Sequence, residues 1–122
     1  ENVSFSWWNL GIAYADMKDY RKAVEMLEKA LGLGYIRWQN AEQIPYLVAV
    51  YDAGRGPIER IVEFWEKAVS LEPTNAQFMA SLAAAYAAKG DKGRARDAAL
   101  RAVELDPVFK LEAERFLKNL GE

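Results

Sequence analysis

The stretch "WWNLGIAYADMKDYRKAVEMLEKA", residues 7–30, decides the fold. Trp7, Leu10, Gly11 and Tyr14 stand at the spacing W-x2-L-G-x2-Y, and after a gap Ala23, Leu27 and Ala30 stand at A-x3-L-x2-A. Steps of three and four residues return a side chain to the same helix face, so the stretch predicts two helices joined by a short turn. The paired tryptophans raise a question of direction. Neighbours on a helix point about 100° apart, and only one of Trp7 and Trp8 can face a core squarely.

Outward from this stretch the same spacing returns as Met79, Leu82, Ala83, Tyr86, Ala95, Ala99 and Ala102, closing on Pro107. A more divergent copy between them uses Val48, Ala49, Ile61, Trp65, Ala68 and Pro73. Leu10 to Val48 is 38 residues and Val48 to Leu82 is 34, which places four extra residues near "YIRWQNA" at 35–41. In the divergent copy Asp52 falls where the others have an aromatic, Tyr51 comes one place early, and "GRGP" at 54–57 forms the turn. Pro57 suits the first turn of a helix, where its missing N–H is not needed, and Pro45 is expected to mark a late helix start.

Small residues such as Gly11, Ala23, Ala83 and Ala95 let paired helices approach, while Trp7, Tyr14, Leu27, Trp65 and Tyr86 fill the spaces between pairs. One pair buries too little alone, and stacking neighbours completes the core. Boundary signals agree. "KGD" at 89–91 is a turn, Thr74 with Gln77 makes a capping box, and Asp106 caps a helix opened by Pro107. The end, "PVFKLEAERFLKNLGE", sets Phe109, Ala113, Phe116, Leu117 and Leu120 on one face, opposite Lys110, Glu114, Arg115 and Lys118, with Gly121 as a stop. It reads as a capping helix.

This pattern resembles the tetratricopeptide repeat family over roughly residues 4–109. The resemblance implies an all-α, right-handed superhelical array of three helix pairs plus a C-terminal capping helix, seven helices in one domain spanning residues 1–122. Its repeats fall at about 4–37, 42–75 and 76–109, with the capping helix at about 107–120. The start, "ENVSF", has neither an initiator Met nor a matching cap, and reads as cut from something longer. A weaker likeness joins "LGYIRWQN" and "EAERFLKNL" to the repeat tails of bacterial membrane proteins of the O-antigen ligase type.

What the resemblance implies about function is a scaffold that binds protein. In this family the first helix of each pair lines a concave groove. The matching positions here are Phe5, Trp8, Asn9, Ile12 and Asp16, then Gln43, Tyr46, Leu47, Val50 and Ala53, then Gln77, Ala80, Ser81, Ala84 and Ala88. Trp7 then takes the packing position and Trp8 points to the groove. Some members grip a C-terminal carboxylate with Lys, Asn and Arg. The matching places hold Trp8, Ile12, Leu47, Gln77 and Ser81, which offer such a terminus no charge-assisted bond. An apolar, aromatic strip suits an apolar peptide or amphipathic helix. Burial of Trp8 against other sequence and self-association into a homo-oligomer, through the groove or the uncapped end, stay open beside partner binding, as does a structural or oligomerising appendage of a larger protein, such as the soluble tail of a membrane glycan ligase.

Composition narrows the alternatives. The chain has no Cys and no His, which removes disulfides, thiol and His-dependent catalysis, and the usual zinc sites. No catalytic, cofactor or metal site is expected. Sixteen basic against 18 acidic residues give a net charge of -2, without the basic surplus that nucleic acid demands. No apolar run is long enough for membrane insertion, and a soluble, cytoplasmic chain is the default expectation. Glu25/Glu28 and Glu112/Glu114 read as solvated helix surface. The five basic and two acidic residues of "KGDKGRARDAALR" at 89–101 leave Arg94, Arg96 and Arg101 on the convex back. "NVS" at Asn2 matches a glycosylation acceptor only as a tripeptide, and "DAGRG" lacks the Lys-Ser/Thr of a phosphate loop.

Overall fold

A computed structural model describes residues 3–34 and 41–121. The extra residues expected at "YIRWQN" and the tripeptide at Asn2 lie outside the described residues. Seven α-helices follow one another among those described: α1 (Val3–Asp16), α2 (Tyr20–Gly32), α3 (Gln43–Ala53), α4 (Ile58–Leu71), α5 (Ala76–Lys89), α6 (Lys92–Leu105) and α7 (Lys110–Asn119), the last preceded by a 3-10 turn at Pro107–Phe109. No strand is present among the described residues. The chain forms two compact units, one ending at Pro57 and the next beginning at Ile58. The divergent middle copy is thus shared out, α3 belonging to the first unit and α4 to the second.

In the first unit α1 packs on α2, and α2 on α3. Gly11 makes the first contact possible: a Cβ there would stand 2.7 Å from Leu27 Cδ2 and 3.2 Å from the Ala23 carbonyl. Leu27, Ala23 and Ala30 are fully buried in return. Burial of a leucine of this kind contributes about 1.5–3 kcal/mol. Gly54 does the same for α3, since a Cβ on it would lie 2.3 Å from the Tyr20 carbonyl oxygen. In the second unit α5 packs on α4 and α6, and α6 on α7. The α5–α6 seam is built from small residues, Ala83 on one helix and Ala95, Ala99 and Ala102 on the other, all buried.

One turn occurs three times and reveals the register. The N–H of Asp19 bonds to the Tyr14 carbonyl (2.9 Å), that of Gly56 to Tyr51 (2.8 Å) and that of Asp91 to Tyr86 (2.9 Å). The residue before each of these donors is left-handed: Lys18 at φ 65°, Arg55 at φ 58° and Gly90 at φ 96°. These are helix C-terminal locks of one kind, and a tyrosine sits at the same place in each. The aromatic of the middle copy is therefore Tyr51, and Asp52, which the spacing puts there, is exposed. Tyr14 to Tyr51 is 37 residues and Tyr51 to Tyr86 is 35. Against a 34-residue period, these tyrosine spacings hold three extra residues before Tyr51 and one after it. The one after Tyr51 falls in the following turn, where α4 starts seven residues after its tyrosine while α2 and α6 start six after theirs.

The cap at α5 is also corrected. Asn75, not Thr74, accepts from the Phe78 N–H at 3.0 Å. Asp19 and Asp91 cap α2 and α6 in the same way, and Asp106 accepts from Val108 N–H at 3.1 Å ahead of the C-terminal helix. Pro45 is the third residue of α3, inside the first turn where its missing donor is harmless, and Pro57 immediately precedes α4. Gly121, at φ 88°, follows α7 as a stop.

Candidate functional site

The register decides which side chains the first helices present. Counted from its tyrosine, α1 offers Phe5, Trp8, Asn9, Ile12 and Asp16. The same offsets on α3 give Glu42, Pro45, Tyr46, Ala49 and Ala53, all five exposed. Leu47 and Val50, expected in the groove, are each only 2% exposed. They belong to a buried set with Ile44, Val48 and Tyr51 that covers an arc of about 160° of α3. The physical reason is the one-residue offset, which turns every assignment on this helix by about 100°. Tyr46 keeps its place at 45% exposure, and Pro45 and Ala49 replace the two buried residues beside it.

The remaining expected positions on α1 are graded. Phe5 and Asn9 are exposed, and Trp8 and Ile12 are half-buried. Trp7, expected in the core, is also half-buried, with the Lys29 ammonium 4.5 Å from its ring centroid. A cation there is held by the ring quadrupole and caps an aromatic that packing leaves open. The Tyr46 hydroxyl is pushed above its ordinary pKa, first by burial and then by the negative charge of Asp16, which places the C-terminal end of α1 near this side chain. Tyr46 stays neutral at physiological pH and presents a ring with a donor at its tip.

In the second unit α5, α6 and α7 enclose a cleft of about 260 Å³. The expected residues Gln77, Ser81 and Ala84 line it together with Ala80, and the cap contributes Phe109, Glu112, Ala113 and Phe116. Gln77 and Ala84 are exposed and Ser81 is half-buried. The cleft is open to an apolar group, while an amide, a hydroxyl and a carboxylate can fix its orientation. The sequence puts Phe109 and Phe116 on the inner face of a cap, and the structure makes them walls of a cleft. Glu112, which the sequence puts on solvated helix surface, lines the cleft as well. Its position on α7 three residues from Phe109 and four from Phe116 was the available signal.

Two hydrogen bonds tie second helices to the first helices that follow. The Tyr51 hydroxyl donates to Glu28 Oε2 and the Tyr86 hydroxyl to Glu66 Oε2, both at 2.5 Å. Tyr86 is pushed up to about 12 by burial, by its bond to Glu66 and by the charge of that carboxylate, with Arg94 opposing. No group of three or more acidic side chains that could hold a metal ion occurs among the described residues. None of the described helices is long and apolar enough to cross a membrane.

Comparison with known proteins matches this chain to a family described as tetratricopeptide repeat, at residues 6–33 and 76–109. The matched segments cover half of the chain, and the chain belongs to that family. Two solved structures are similar to it at 24% identity and a TM-score of 0.62: MamA 41-end from Desulfovibrio magneticus RS-1, and a MamA RS-1 ArsTM double mutant. In both, the alignment covers 98% of this chain and 65% of the other, so this chain spans less than two thirds of their length. That likeness shows the fold. No curated protein matches.

Proposed function

We propose that this tetratricopeptide repeat chain is a non-enzymatic interaction module whose first-helix faces take an apolar peptide or amphipathic helix. The observation that carries the reading is the cleft of about 260 Å³ beside α5, floored by Ala80 and Ala84 and walled by Phe109 and Phe116. Alanines admit a close approach, and the two rings provide apolar area at low entropic cost. Its polar groups are Gln77, Ser81 and Glu112, none of them cationic, which disfavours a C-terminal carboxylate as the group held there. The first unit supports the same reading by its own residues, Phe5, Trp8, Asn9, Ile12 and Tyr46, now joined by Pro45 and Ala49.

Peptide display against the intact chain, followed by rebinding to variants, tests this. Peptides selected for the cleft are expected to lose about tenfold or more affinity for Ala84→Arg, a substitution at an exposed position that leaves folding intact. Selected peptides that bind Ala84→Arg and Tyr46→Ala as well as the parent chain refute the assignment of these faces.

A further inference from the structure

The outer side of α1 repeats a surface that the chain covers twice elsewhere. Leu10, Leu47 and Leu82 each stand four residues before the tyrosine of their repeat. Leu47 and Leu82 are 2% and 6% exposed, whereas Leu10 is 42% exposed. The difference follows from the neighbours. α3 packs on α2, and α5 on α4, each through a tyrosine that donates to a glutamate of the preceding helix. Tyr14 is half-buried, and among the described residues no carboxylate accepts from it. Val3 and Leu10 on α1 and Met17 just after its end form an exposed stripe at seven-residue spacing, and α1 carries no charge before Asp16. Lys22 and Lys29 stand at its rim, over the rings of Tyr14 and Trp7.

We propose that this face docks a partner's amphipathic helix of the α4 kind: a stripe of apolar and small residues with one glutamate that accepts from the Tyr14 hydroxyl. The occupant's chemistry is read from the two internal covers, since α2 and α4 each bring such a stripe and such a glutamate. The two lysines favour an acidic partner. A second copy fits less well. Its α1 brings no glutamate, and its α2 and α4 are already engaged by α3 and α5. The surface is independent of the concave-face reading above.

The probe is the α4 sequence itself, residues 58–71, offered to the intact chain in two forms. As a free peptide it is expected to bind with an affinity that falls about tenfold in Leu10→Asp and in Met17→Asp, both at exposed positions. Removing the peptide glutamate (Glu66→Gln) and Tyr14→Phe are expected to weaken binding non-additively, as partners in one bond do. Fused ahead of residue 1 through a flexible linker of roughly a dozen residues, where the local concentration is millimolar, it is expected to raise Tm by about 4 °C in the parent and not in Leu10→Asp. A fusion without that rise, or a rise equal in both, overturns the proposal. A dimer of the unmodified chain that Leu10→Asp abolishes overturns the stated occupant in favour of a second copy.

Discussion

Leu47 and Tyr46 are neighbours in sequence, and truncating each to alanine should produce opposite phenotypes. If Tyr51 anchors α3, Leu47 packs inward at 2% exposure while Tyr46 stands 45% exposed. Leu→Ala at a buried site costs about 2–5 kcal/mol, made up of lost transfer free energy and the cavity left behind. Near the middle of that range, about 3 kcal/mol, and with the unfolding entropy expected for a chain of this size, Leu47→Ala should lower Tm by about 12 °C. Tyr46→Ala should cost less than about 1 kcal/mol, because much of the ring is already in water and its hydroxyl can be replaced by solvent. Guanidinium denaturation of the two variants side by side gives both numbers. Partner binding, once a peptide has been selected, should change in the reverse order. The register shift is refuted if Leu47→Ala costs under about 1 kcal/mol while Tyr46→Ala costs more than about 2 kcal/mol.

Three further outcomes follow from the turns and caps. Tyr86 has a folded pKa raised from 10.0 to about 12, so its stabilising contribution is complete below pH 10 and is lost as pH rises toward 12; after screening by solvent, a loss of about 1 kcal/mol over that window should appear in denaturation midpoints and be smaller in Tyr86→Phe. Arg55 pays for a left-handed backbone that glycine adopts freely, so Arg55→Gly should stabilise by about 1 kcal/mol, whereas Gly54→Ala should destabilise by about 2 kcal/mol because its Cβ meets the Tyr20 carbonyl. Asn75→Ala should cost about 1 kcal/mol in thermal melts and Thr74→Ala less than about 0.5 kcal/mol, since only Asn75 bonds the Phe78 N–H.

Helix count, the close α1–α2 and α5–α6 seams and the capping helix were legible because they rest on spacing. Gly11, Ala23 and Leu27 can sit at those intervals for one reason, and the structure puts them in contact. The direction in which α3 faces was not legible. α1, α3 and α5 carry apolar residues around most of their circumference, so their periodicity names no single inward side. α2 and α4 are strongly amphipathic; on α2 Ala23, Leu27 and Ala30 are buried where the spacing puts them, whereas on α4 Ile61 and Ala68 are buried as expected but Phe64 takes the core position expected of Trp65, which is half-buried. For a helix that is apolar all round, register comes from its end, where backbone geometry is specific. Counted from the tyrosine to the next helix, the middle connection is one residue longer than the other two, and its arginine in a left-handed conformation carries no sequence signature of that role.

The same property bears on the two separate surfaces proposed for α1. A first helix meets its own partner on one side and a preceding second helix on another, leaving a third side, the concave face, to solvent. In α5 those demands are met by α6, by α4 and by the cleft beside α7. In α1 the first is met by α2, and the proposed peptide-binding residues Phe5, Trp8 and Asn9 would serve the third. Val3, Leu10 and Met17 answer to the second, whose cover is missing among the described residues. Paired tryptophans at the start of the helix fit this division, since residues about 100° apart serve different sides. Trp7 stands seven residues before Tyr14, where Ile44 and Met79 stand before Tyr51 and Tyr86, so it borders the outer face. Trp8 stands at the offset of Pro45 and Ala80, on the side proposed above to take a peptide. A partner helix on the outer face should therefore quench or shift the emission of Trp7, and Trp7→Phe should remove that change while Trp8→Phe leaves it. Emission that responds only through Trp8 would place the helix on the concave face instead.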